Sequence, residues 1–238
     1  TRNEEFRRRL SMVDSYSGMR IVVFREYAWL LQDKPTGMCL YWISAQRFHS
    51  YGATHLNSFS YFAYGSNMLL ERLQQRCPSA QCEGIAIAHG YEIEFSKISK
   101  DTSGKATLKN SNDNEAGAYG VLFTLQGDDL TKLDRAEGLG FGYDRINDFS
   151  VRRLVDDELI KAKTYLAPPA YLDNGLMPFD WYLNLVVAGA KQNGLPSDYV
   201  RDLRAIPSIV DPQPTRGSRA VAIEVLSNAK TRIELKLV

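Results

Sequence analysis

The order in which two hydrophobic periodicities succeed each other constrains this chain more than any other feature of its sequence. Between Phe59 and Ala167, short runs with the two-residue period of a strand follow one another, interrupted only by brief helical stretches; helical spacing takes over after Pro178. A doubly wound dinucleotide-binding sheet needs strands and helices in regular alternation, which is missing here. The order therefore predicts an α+β fold: a small mixed, curved or barrel-like β-sheet with helices packed on it. With 238 residues, 44% of them hydrophobic and 24% charged, the chain can fill one sizeable core.

The individual elements follow from local pattern. Phe59–Tyr64 reads as an aromatic strand, broken by Gly65-Ser66-Asn67, and Met68–Arg76 as a helix carrying Leu69, Leu70 and Leu73. Strands are predicted at Gly84–His89, Tyr91–Ser96, Lys105–Leu108, Ala118–Leu125, Asp148–Val155 and Glu158–Ala167. A short helix opens with Asp128 as its N-cap and ends near Glu137-Gly138; longer helical spacing covers Pro178–Gln192, and Ser197 caps a further helix. Residues 58–212 thus form the main domain. Residues 1–57 read as an N-terminal extension without an assignable fold, with a strand expected at 18–24 and a short helix at Tyr27–Gln32. Residues 213–238 read as a C-terminal extension, a β-hairpin of Arg219–Val225 and Arg232–Val238 with Asn228 in its turn.

Charge and composition remove several classes of function. Twenty-nine basic against 28 acidic residues leave a formal charge of +1, too little to hold nucleic acid or an anionic bilayer, although Arg7, Arg8 and Arg9 could make a local contact. No stretch approaches the roughly 20 apolar residues that span a membrane, and no apolar segment leads to a small-residue cleavage site, so no secretory leader is expected. The chain starts at Thr1, and Met19 is expected as an internal start. Cys39, Cys77 and Cys82 are odd in number and lack a C-x-x-C pair, which predicts free thiols in a reducing cytoplasm rather than disulfides or a zinc ribbon. His49, His55 and His89 form no recognisable ligand set. Gly138-Leu-Gly140-Phe-Gly142 follows a helix instead of a strand, so it is a loop and not a dinucleotide fingerprint.

Two segments carry candidate chemistry. In Tyr61-Phe62-Ala63-Tyr64-Gly65-Ser66-Asn67, small polar residues sit where a strand hands over to a helix. Such a bend either is an ordinary turn capped by Ser66 or Asn67, or presents backbone N–H groups to a carboxylate or a developing oxyanion. In Asp134-Arg-Ala-Glu137-Gly138, Glu137 is either a solvated surface charge or a carboxylate beside the negative end of a helix, where partial burial suits it to proton transfer.

Taken together, Tyr61–Asn67 followed by Met68-Leu-Leu-Glu-Arg72, Glu137-Gly138 with Tyr143 beyond it, and Gly189-Ala-Lys-Gln-Asn-Gly-Leu-Pro196 with Tyr199 closely resemble the γ-glutamylcyclotransferase family, from about Phe59 to Pro207. The Gly189–Pro196 segment resembles the branch that acts on γ-glutamyl amino acids. The first 57 residues and those after about Asp211 have no counterpart in the resemblance, and the spacing from Glu137 to Tyr143 is one residue shorter than in the animal enzymes.

The resemblance implies an enzyme that cyclises a small γ-glutamyl substrate to 5-oxoproline and releases the attached amino acid, with no cofactor and no metal. Glu137 would be the general base and acid. Tyr61, Phe62, Ala63, Tyr64, Gly65, Ser66 and Asn67 would bind the substrate's α-carboxylate and polarise its γ-carbonyl; Tyr182, seven residues before Gly189, would contact substrate, and Tyr143 would form another wall. Lys191 and Asn193 would serve the structure. A γ-glutamyl amine or glutathione as substrate stays open, as do a noncatalytic module on the same fold and a homodimer.

Overall fold

The computed structural model describes residues 11–12, 19–24, 27–34, 37–44, 57–113 and 115–235. Arg7–Arg9, His49 and His55 lie outside them. The chain divides into two units, Thr1–Asn57 and Ser58–Val238.

The first unit holds a four-stranded antiparallel meander: β1 (Ser11–Met12), β2 (Met19–Phe24), β3 (Tyr27–Lys34) and β4 (Gly37–Ser44). The strand expected at 18–24 is present as β2. The helix expected at Tyr27–Gln32 is not: this backbone is β3, paired on one side from Met19↔Gln32 to Phe24↔Tyr27 and on the other from Tyr27↔Ser44 to Lys34↔Gly37. Ladders on both edges commit its N–H and C=O groups to neighbouring strands and leave none for a helical turn, whatever the local propensity.

The second unit is built on a closed barrel. In chain order its elements are β5 (Ser58–Ala63), α1 (Leu70–Arg76), β6 (Gln81–His89), β7 (Tyr91–Ile98), β8 (Gly104–Asn110), β9 (Gly117–Gln126), α2 (Leu130–Glu137), β10 (Asp144–Arg153), β11 (Leu159–Leu166), α3 (Asp180–Gln192), α4 (Ser197–Ala205) and α5 (Gly217–Leu235). The barrel order is β10-β11-β5-β9-β6, closed by β10 pairing with β6, while β7 and β8 form a separate two-stranded sheet. β5 is antiparallel to β9 and parallel to β11 through Lys163↔Tyr61. Phe62, Val121, Leu122, Phe123, Leu125, Val151 and Leu185 are among the side chains withdrawn from solvent, so the apolar runs of the sequence fill one core.

Several predicted boundaries move for identifiable reasons. The helix expected from Met68 is split: Ser66–Met68 is one 3-10 turn, Leu69 is extended at φ −75° and ψ 112°, and α1 begins at Leu70. Met68 and Leu69 are both fully buried, and the break lets both side chains reach the core. Asp128 is not the N-cap of α2. A 3-10 turn, Gly127–Asp129, precedes the helix, and the neighbouring Asp129 turns its carboxylate to Ser79 N at 3.0 Å, Ser79 Oγ at 2.6 Å and Lys132 Nζ at 2.7 Å. Nor does the Ser197 side chain cap α4, whose N-cap is Pro196.

The expected C-terminal hairpin is a continuous helix, α5. Its sequence alternates locally, but Ala222, Val225 and Ala229 recur at three- and four-residue spacing and are buried. This helix packs with α3 in the second unit, so residues 217–235 belong to the domain core rather than to a separate appendage. Among the described residues no helix is long and apolar enough to cross a membrane.

Candidate active site

A narrow cleft lies beneath the bend that follows β5, lined by Tyr61, Tyr64, Gly65, Ser66, Asn67, Ala106, Glu137, Tyr143, Tyr165 and Tyr182. The bend is held from outside. Asn193, at the end of α3, donates from Nδ2 to Met68 O at 2.9 Å and to Gly189 O at 2.8 Å; Gln192 Oε1 accepts from Leu70 N at 3.0 Å, satisfying the start of α1 from another helix. Gly189 permits this approach, since a Cβ there would stand 2.5 Å from Leu69 N and 2.7 Å from Met68 C. Asn193 thus serves the structure of the loop, while Lys191 is exposed. Gly65 has φ −109°, so it is needed not for left-handed backbone but for space: its Cβ would lie 3.2 Å from Ala106 Cβ and 3.5 Å from the Tyr182 hydroxyl.

Glu137 is the last residue of α2, which ends in a left-handed Gly138 at φ 70°. Its side chain is 15% exposed and turned into the cleft. Asn67 Nδ2 donates to Glu137 Oε1 at 2.7 Å and to the Tyr61 hydroxyl at 3.0 Å. Arg76 Nη1 donates to the same Oε1 at 3.1 Å and to Asn67 Oδ1 at 2.8 Å. The carboxylate is therefore fixed by an amide and a guanidinium that are also bonded to each other. Arg76 was invisible to an argument from the helix end alone.

One turn earlier in α2, Asp134 anchors the helix to the barrel. Its carboxylate accepts from Tyr165 OH at 2.7 Å and from Arg145 Nη1 at 2.5 Å, and the Tyr64 hydroxyl donates to the Tyr165 carbonyl. On the opposite wall the backbone of Ala106 is bracketed by two phenols: Tyr143 OH donates to its carbonyl at 2.7 Å, and its N–H donates to Tyr182 OH at 3.1 Å. Burial, first of all, pushes the phenols of Tyr61, Tyr64, Tyr143 and Tyr182 above their ordinary range, with the Glu137 charge adding to the effect on each. They remain neutral hydrogen-bonding groups at physiological pH.

Eight of the predicted site residues meet in this cleft: Tyr61, Tyr64, Gly65, Ser66, Asn67, Glu137, Tyr143 and Tyr182. Phe62 and Ala63 do not line it; both are buried in the core, and the Phe62 ring stacks on Phe149 at 6.1 Å between centroids. Ala106, Tyr165, Arg72 and Arg76 were not singled out as site residues. Ala106 acts through backbone and Tyr165 arrives by strand pairing, neither of which leaves a motif. Arg72 and Arg76 were legible in principle, as cations four apart on a helix that starts beside the bend. Among the described residues no three His, Cys, Asp or Glu side chains gather as metal ligands.

A carboxylate at the edge of a cleft otherwise walled by neutral phenols and a small-residue bend is suited to acid–base chemistry on a small polar ligand. The AIG2-like family pattern matches residues 118–203. Human γ-glutamylcyclotransferase is 33% identical over 160 residues, covering 63% of this chain and 79% of that protein. The bovine protein of the same name is 31% identical over 172 residues, covering 70% and 86% respectively. A solved structure of a γ-glutamyl cyclotransferase superposes with a TM-score of 0.63 at 29% identity, over 71% of this chain and 99% of that one. The chain belongs to the γ-glutamylcyclotransferase family.

Proposed function

We propose that the protein converts γ-glutamyl amino acids to 5-oxoproline and the free amino acid, with Glu137 as the group that moves the proton. The observation that carries this reading is the position of the Glu137 carboxylate: in the cleft, under the Gly65–Asn67 bend, and held through Oε1 by Asn67 and Arg76. Both of those donors fall on one oxygen, so a substrate proton would meet the other, Oε2.

In this mechanism the α-amine of the bound substrate attacks its own γ-carbonyl. The new C–N bond closes a five-membered ring and the old amide C–N bond breaks. Because the nucleophile is tethered to its target, the enzyme has mainly to fold the substrate, and effective molarities of about 10⁵ M or more are available to a well-oriented attack. Glu137 accepts a proton from the ammonium and returns it to the departing nitrogen, a contribution of about 10²–10⁴-fold. The N–H groups of the bend hold the α-carboxylate and stabilise the oxyanion, and Tyr143 and Tyr182 wall the cleft. The buried Cys77 thiol supports a cytoplasmic setting.

The test is 5-oxoproline release from γ-glutamyl dipeptides by the wild-type chain and by Glu137→Gln. The amide keeps the size of the side chain but cannot take the ammonium proton, so the rate is expected to fall by about 10²-fold or more. A folded variant that keeps more than about a tenth of the rate overturns the assignment.

A further inference from the structure

Beside the cleft lies a second, more open cavity, which shares Tyr182 with it. Neighbouring or bonded residues serve the two in three places. Ala106 lines the first and Lys105 the second; Tyr182 lines both and Trp181 only the second; Ser66 lines the first, and Arg72, whose Nε donates to Ser66 Oγ at 3.0 Å, lines the second. The two are therefore neighbours, with Tyr182 lining both.

The second cavity is electropositive. Arg72, Lys100, Lys105 and Arg216 line it against a single acidic residue, Asp101. Lys105 is paired with Asp101 at 2.9 Å, and Arg216 with the buried Asp211 at 2.7 Å. Arg72 has no ion pair among the described residues. Burial first, and then the neighbouring Arg76, lower its pKa to about 10, against a smaller opposing effect of Glu137. Lys105 also lies over the rings of Trp181 and Tyr182, at 5.0 and 4.7 Å from their centroids, which positions its ammonium beside the shared Tyr182.

We infer that this second cavity receives the carboxylate of the group that leaves, and that Arg72, Lys105 and Arg216 thereby make the enzyme select γ-glutamyl amino acids over γ-glutamyl amines. The inference rests on the cyclisation proposed above. A γ-glutamyl amino acid seated with its γ-carbonyl beside Glu137 would extend its leaving group past Tyr182, and an α-carboxylate there meets Arg72, which has no carboxylate partner, beside Lys105 and Arg216 in their ion pairs. A γ-glutamyl amine offers nothing to these cations.

The test compares γ-glutamyl-alanine with γ-glutamyl-ethylamine, which differ by the carboxylate alone, and reads the ratio of their kcat/KM values from 5-oxoproline release. The wild-type ratio is expected to favour the amino acid by tenfold or more, and Lys105→Gln and Arg216→Gln each to lower it by about tenfold, the usual scale of a charge-assisted contact. Lys105→Arg should restore most of it. Using both sites guards against a variant that fails to fold, since Arg216 also braces Asp211. A ratio within about twofold of wild type in a folded variant overturns the subsite while leaving cyclisation standing. No 5-oxoproline from either substrate with the wild-type chain overturns both.

Discussion

Replacing Gly189 by alanine sets two well-characterised effects against each other, and the structure decides the sign. Gly189 lies inside α3, where alanine is favoured over glycine by about 1 kcal/mol on helix propensity alone. Against that gain, the new Cβ would stand 2.5 Å from Leu69 N and 2.7 Å from both Met68 C and Met68 Cβ. Two of those atoms are backbone and cannot rotate away. They also belong to the segment that Asn193 and Gln192 bond from the same helix, so α3 cannot retreat without breaking those contacts. Overpacking of a tight core costs roughly 1–3 kcal/mol, and more where nothing yields; with about 1 kcal/mol of propensity subtracted, a net loss of about 2 kcal/mol is expected. Urea unfolding followed by circular dichroism measures it as a lower midpoint at unchanged slope. Because Met68 and Leu69 continue directly from the bend over the cleft, KM for a γ-glutamyl substrate should rise along with the loss of stability. A variant as stable as wild type, or more so, would refute the reasoning, because it would mean that α3 and the bend are not in the contact that fixes the cleft.

Other expectations follow from the ionisable groups. The buried Asp211 carboxyl is held well below the usual carboxylate range, first by Arg216 and also by hydrogen bonds from Gln213 N and Trp181 Nε1. A depressed folded-state value stabilises the fold above the ordinary carboxylate pKa of about 4 and is lost as the pH falls below it. Acid titration of stability should therefore decline less steeply in Asp211→Asn than in wild type over that range, and parallel declines would count against the coupling. Burial first, and then the charge of Asp129, push the Cys77 thiol up to about 12, whereas Cys82 is exposed. Alkylation of the native protein near pH 8 followed by peptide mapping should label Cys82 well before Cys77; equal labelling rates would contradict that environment.

How far the sequence specifies this molecule depends on the range over which each feature is determined. The strands of the barrel were legible because each carries its own period and its own bounding turns, and Glu137-Gly138 because a helix end is a local event. The failures share a different origin. Tyr27–Lys34 is a strand because two partner strands bond it, and α5 is a helix because α3 offers a surface for Ala222, Val225 and Ala229; neither partner can be seen in a window around the segment. The site divides along the same line. Most of the residues expected there line the cleft, but the contacts that orient them come from elsewhere in the chain. Arg76 reaches Glu137 from α1, Asp134 ties α2 to β10 and β11, and the Ala106 backbone positions Tyr143 and Tyr182. A carboxylate transfers protons usefully only when its orientation is fixed relative to the substrate. The motif supplies Glu137, and the three-dimensional fold supplies the two donors, from Asn67 and Arg76, that converge on its Oε1.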